Sequence, residues 1–176
     1  MNIISQKKLY SPLIAATICL TFLFAACQAE GDCTQDTRTS VGTAFFQPVL
    51  GANQQYAAQT LTDTIRIKGV GSDSFINDTL SISAARLPLK SFEKNTSFVI
   101  QKDNLKADTI TFIHDNTEQL LSLECGVKVI HDIKDIRFTQ NRIDSVKIAI
   151  SRIADNKTAN QVKIRSEEHT SELQSR

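Results

Sequence analysis

The chain has 176 residues, a formal charge of +1 and no Trp. Setting aside Lys7, Lys8, Arg165, Arg176, Glu167, Glu168 and Glu172, which lie in terminal segments, leaves 16 basic and 16 acidic residues. Balanced charge gives no electrostatic footprint for nucleic acid, and the lack of Trp, with only two Tyr, argues against a sugar-stacking platform.

Residues 1–26 read as an export signal. Lys7 and Lys8 form a basic start, Leu13 to Phe24 an apolar core, and Ala25-Ala26 a small-residue approach to Cys27. The core is too short for a transmembrane helix, which needs about 20 apolar residues. Leu23-Phe24-Ala25-Ala26-Cys27 resembles a bacterial lipobox, with Phe24 where Leu is usual. The resemblance implies a lipoprotein signal peptide, with lipidation of Cys27 and the membrane as partner through that lipid anchor. The alternative is ordinary cleavage nearby and a soluble periplasmic domain. Residues 27–40 then form a lipidated tether.

The cysteines sort by position. Cys19 leaves with the signal, Cys27 takes the lipid, and Cys33 and Cys125 remain in an oxidising compartment. A Cys33–Cys125 disulfide would close a loop worth roughly 4–5 kcal/mol of chain entropy. The alternative is two buried free thiols.

Residues 41–164 are the expected folded domain. Val41 to Phe46 predicts a first strand ended by Pro48, and Gly51 to Gln59 a loop. Asp63 to Val70 alternates, with Ile65, Ile67 and Val70 assigned inward. Ser72 to Asn77 reads as a turn and Asp78 to Ile82 as a short strand, and Pro88 argues against a central strand over Ala84 to Leu89. Thr96 to Gln101 and Asp108 to His114 read as strands, the latter with Ile110, Phe112 and His114 on one face. Val127 to Thr139 predicts one long bent strand or two short ones. Ile143 to Ile153 is the strongest strand pattern, with Val146, Ile148 and Ile150 as a stripe, and Gln161 to Ile164 reads as the last strand. Many short strands between turn signals, with weak helical periodicity, predict an all-β fold. The expected form is a single antiparallel β-sandwich of immunoglobulin-like type, with a small open β-barrel as alternative. Residues 165–176 read as a translated sequencing-library adapter and are set outside the native fold.

Asp32-Cys33, Leu87-Pro88-Leu89, Leu121-Ser122-Leu123-Glu124-Cys125-Gly126, Asp144-Ser145-Val146-Lys147-Ile148 and Gln161-Val162-Lys163-Ile164 occur in this order. Together they resemble a family of Bacteroidota lipoproteins catalogued as a domain of unknown function. The resemblance implies a location, the outer membrane on its periplasmic or cell-surface face, and no activity. In that phylum, acids directly after the lipidated cysteine can direct surface export. In Gln28-Ala29-Glu30-Gly31-Asp32 the acids are interrupted by Gly31, so a plain flexible tether is the other reading.

Asp63-Thr64-Ile65, Asp78-Thr79-Leu80, Asp108-Thr109-Ile110 and Asp144-Ser145-Val146 share one pattern. Asp favours turns and β-branched residues favour strands, which makes it a strand-entry habit. It also resembles the O-glycosylation acceptor of exported Bacteroidota proteins, which makes Thr64, Thr79, Thr109 and Ser145 candidate acceptors. His114 and His131, with Asp115 or Asp132, are conceivable metal ligands, but their spacing defines no site, and hydrogen-bonded structural histidines are expected. Neither a catalytic constellation nor a cofactor or metal site is assigned. The expected function is a non-catalytic, lipid-anchored envelope module for interaction or structure, with an unknown envelope protein or glycan as partner. An interaction module predicts an exposed apolar patch or unpaired edge strand. The alternative, a glycan- or ligand-binding accessory lipoprotein, predicts a concave site with Phe45, Phe46 or Phe75 exposed. An enzyme predicts a pocket holding paired carboxylates or a perturbed histidine.

Overall fold

The computed structural model describes residues 33, 35–48, 56–58 and 60–166; Cys27 and the signal segment lie outside them. The fold is that of the unit from Gln35 onward. Its eleven strands are β1 (Ser40–Pro48), β2 (Tyr56–Ala58), β3 (Leu61–Gly69), β4 (Phe75–Ile82), β5 (Ala84–Pro88), β6 (Asn95–Lys102), β7 (Asp108–Ser122), β8 (Gly126–Phe138), β9 (Ile143–Ile148), β10 (Arg152–Ile153) and β11 (Val162–Ser166). Among the described residues there is no helix.

The strands form two sheets. One runs β2-β1-β11-β9, with β5 also on β1; the other runs β10-β8-β7-β6-β3-β4. β5 pairs with residues 40–44 of β1 and β2 with residues 46–48, so the two short strands share one flank of β1. Pro88 ends β5 at the sheet margin, where its missing N–H breaks no interior ladder. β1 and β11 pair in parallel, Thr43 opposite Val162 and Phe46 opposite Arg165. The expectation of a purely antiparallel sandwich is therefore corrected: one sheet is mixed and the other antiparallel, and they do not close into a barrel.

Inward residues of both sheets share one core. Val41, Phe45, Leu87 and Ile164 of the first sheet meet Ile65, Ile67, Phe98, Ile110 and Phe112 of the second. Phe98 and Phe112 pack edge to face at 5.9 Å. Gly42 is fixed by close approach, because a Cβ there would overlap the Thr158 carbonyl oxygen. Its N–H donates to Oε1 of the buried Gln161 at 2.7 Å.

Several local expectations are revised. Val70 is exposed, because β3 ends at Gly69 and Val70 lies in the turn that follows. β4 begins at Phe75 rather than Asp78, and β2 occupies part of the expected 51–59 loop. The strand pattern of residues 143–153 is broken: β9 stops at Ile148, and the N–H groups of Ala149 and Ile150 both donate to the Gln161 carbonyl. The chain then changes sheets to β10, which exposes Ile150 and buries Ile153. β8 is one strand, with a register shift against β7 at Ile113/His114. β11 carries two residues beyond Ile164.

Candidate functional site

Burial alternates along β7, so Asp108, Ile110, Phe112 and His114 all point into the protein. Two of these four are polar, and each has its own partners. Asp108, at the start of the strand, accepts from Thr139 Oγ1 at 2.7 Å and from the N–H groups of Asn141, Arg142 and Ile143 at 2.7 to 3.0 Å. It thereby pins the β8–β9 turn.

His114 meets His131 of β8 ring to ring, with centroids 5.1 Å apart at 86°. Both rings are buried. Asn116 joins them: its Oδ1 lies 2.7 Å from Nδ1 of each ring. Its Nδ2 donates toward the carbonyls of Lys90, Ser91 and Glu93 at 2.7 to 3.1 Å. Three acceptors around Nδ2 fix the amide orientation, so Oδ1 is the acceptor and both histidines carry their proton on Nδ1. Thr96 Oγ1 accepts from the Lys90 N–H at 3.0 Å and donates to Nε2 of His114 at 2.9 Å. With its proton on Nδ1 and Nε2 accepting from Thr96, the His114 ring is neutral in this arrangement. Burial, together with the neighbouring His114, pushes the His131 imidazole down to about 4. Burial also lowers His114, against the opposing hydrogen bond it donates to Asn116 and the charge of Asp115.

The carboxylates expected beside the histidines turn away from them. Asp115 pairs with Lys94 and Lys134, and Lys94 holds its carboxyl below the usual range. Asp132 pairs with Arg152. Among the described residues no group of three His, Cys, Asp or Glu side chains is placed to hold a metal. The two histidines hold a loop in place; they line neither the groove described below nor the small cleft near Phe45. Asn116, the hub of the cluster, went unassigned in the sequence because its partners lie far away along the chain; its one local signal is its position two residues after an inward-facing His.

Cys33 and Cys125 are the two disulfide-bonded cysteines of the described residues, as the sorting of cysteines implies. The four candidate acceptors do not converge. Thr64 is half-buried, with Asp63 paired to Lys102 at 2.6 Å. Thr109 and Ser145 are half-buried in different sheets. Thr79 alone is exposed, its hydroxyl 3.1 Å from Asn77 Oδ1.

Two surfaces stand out. β4 is the last strand of its sheet and pairs only with β3 among the described residues. Its Leu80 is 66% and its Phe75 49% exposed, and Ile76 is also exposed. Asp78, paired with Arg66, is its only charge. β4 has neither Lys nor Pro, the residues that usually blunt an edge. Phe45 is buried and Phe46 half-buried under Lys163, so Phe75 is the one exposed ring of the three named for a sugar face. The second surface is a groove of about 580 Å³ that takes in Arg38, Arg86, Leu89, Val127 and Val129.

A family of unknown function, DUF6452, matches residues 54–165, and the chain belongs to it. No curated protein and no solved structure matches the chain. The family match spans the sandwich from β2 to β11, including β4 and both polar clusters of β7.

Proposed function

We propose that the protein is a non-catalytic interaction module of the outer membrane, held by lipid on Cys27 and working through the free edge of β4. The observation that carries this reading is an eight-residue edge strand with Phe75, Ile76 and Leu80 exposed and no Lys or Pro to blunt it. Such an edge offers unpaired main-chain donors and acceptors to an extended segment of another envelope protein, with apolar side chains supplying contact area. The histidines support a non-catalytic role, because the Nδ1 protons of both are committed to Asn116 Oδ1 and Nε2 of His114 accepts from Thr96. The sandwich fits the immunoglobulin-like form in that its first and last strands pair in parallel while the remaining pairs are antiparallel. Of the four O-glycosylation candidates Thr79 alone has the solvent access an acceptor needs, and since a glycan there would cover β4, the edge reading takes Thr79 as unmodified.

The test is crosslinked capture from intact envelopes, with residues 167–176 removed, comparing wild type with Leu80→Lys and Phe75→Lys. The reading expects one crosslinked protein, lost in both edge variants. An identical capture pattern in all three chains would refute it.

A further inference from the structure

Beyond Asn116 the β7–β8 hairpin runs out as two strands. Leu120 and Val127 are register partners and so lie on one face of the hairpin. They are 64% and 50% exposed, and Leu123, in the turn, is 90% exposed. Gly126 has φ 72°, the left-handed geometry that closes the turn tightly. Three large apolar side chains thus crowd a narrow tip. Leu120 lies three residues behind Leu123, roughly 10 Å at strand spacing. That is the depth to which interfacial apolar groups enter a bilayer, about 5–10 Å.

Behind the tip, Val127 and Val129 lead into the groove that holds Arg38 and Arg86. Among the described residues no carboxylate lines that groove. Arg38 pairs with Asp36, and Arg86 donates to the Lys157 carbonyl at 2.7 Å. The tip itself carries Glu118, Glu124 and Lys128. Apolar groups at the apex and arginines behind them match the order of acyl chain and phosphate in a bilayer. A near-balance of charge fits zwitterionic headgroups better than a strongly anionic face.

We propose that Leu120, Leu123 and Val127 dock the hairpin tip on the zwitterionic lipid surface of the membrane that carries the lipid anchor. This rests on the lipid-anchored reading of Cys27. Cys125, in the turn at this tip, is disulfide-bonded, as is Cys33, and only five residues separate Cys33 from Cys27. The anchor supplies a high effective concentration of membrane, so a small apolar tip suffices.

Because the chain has no Trp, a single introduced one reports its own surroundings. Full-length lipidated Leu123→Trp is placed in phosphatidylethanolamine/phosphatidylcholine vesicles containing brominated lipid. Leu105→Trp, in the β6–β7 turn at the opposite end of β7, is the control. Quenching of Leu123→Trp at least threefold above the control is expected, with less than about twofold change across a tenfold range of salt. Equal quenching of the two chains would overturn the proposal. A strong salt dependence would overturn the choice of a zwitterionic surface. Palmitate labelling of the same preparations against Cys27→Ala reads the anchor separately. Labelled protein with an unquenched tip defeats this inference alone; unlabelled protein defeats the anchor.

Discussion

From Asp108 to Asp115, β7 alternates buried and half-buried residues, and its buried polar groups are met by named partners. From Thr117 to Leu120 the same strand is exposed at every position. β8 repeats the contrast, with Ile130, His131 and Ile133 buried and Val127 in solvent. The inner half spends its polar side chains on holding turns, Asp108 on the β8–β9 turn and Asn116 on the Lys90–Glu93 loop. The outer half packs little, and Leu120 and Leu123 are exposed. On the proposed docking of the tip, stability and interaction are separable on one hairpin, and substitutions in the two halves should separate them.

The largest effect is expected from Asp108→Ala. It strands the N–H groups of Asn141, Arg142 and Ile143 and the Thr139 hydroxyl, at a cost of about 3–5 kcal/mol in urea unfolding. Asn116→Ala comes next, at about 2–4 kcal/mol. It removes the shared acceptor of both histidines and the donor to the 90–93 carbonyls, and amide exchange should rise in that loop.

A pH scan sharpens the same point. His131 is lowered in the fold from 6.5 to about 4, and His114 is lowered as well. Between those values the unfolded chain binds more protons, so this stability is complete above about pH 6.5. It is lost as pH falls toward 4, on the order of 2–3 kcal/mol. His131→Phe should flatten that slope, and an unchanged slope would place the titration elsewhere.

The sequence made part of this legible. Period-two alternation identified β3, β6 and the inward face of β7 because each has one dry face. It failed where the chain leaves a sheet: Ile150 continues the stripe of Val146 and Ile148, yet the backbone crosses to β10 just there. It missed the start of β4 because Phe75-Ile76 follows a Gly/Ser/Asp turn. The parallel pairing of β1 with β11 joins residues more than a hundred positions apart, which no local pattern records. The cysteine pair was legible because the sequence reading set Cys19 aside in the leader and Cys27 at the lipobox resemblance, leaving two cysteines to pair. The Asn116 hub was not, since its amide serves β8 and the Lys90–Glu93 loop at once.

The smallest effect on folding is expected at the tip, and it bears most directly on the division of the hairpin. Thermal unfolding of the L120S/L123S/V127S chain should give a Tm within about 2 °C of wild type, since exposed positions carry little stability. A fall matching that of Asp108→Ala would contradict the account, because the tip would then belong to the core that holds the fold together.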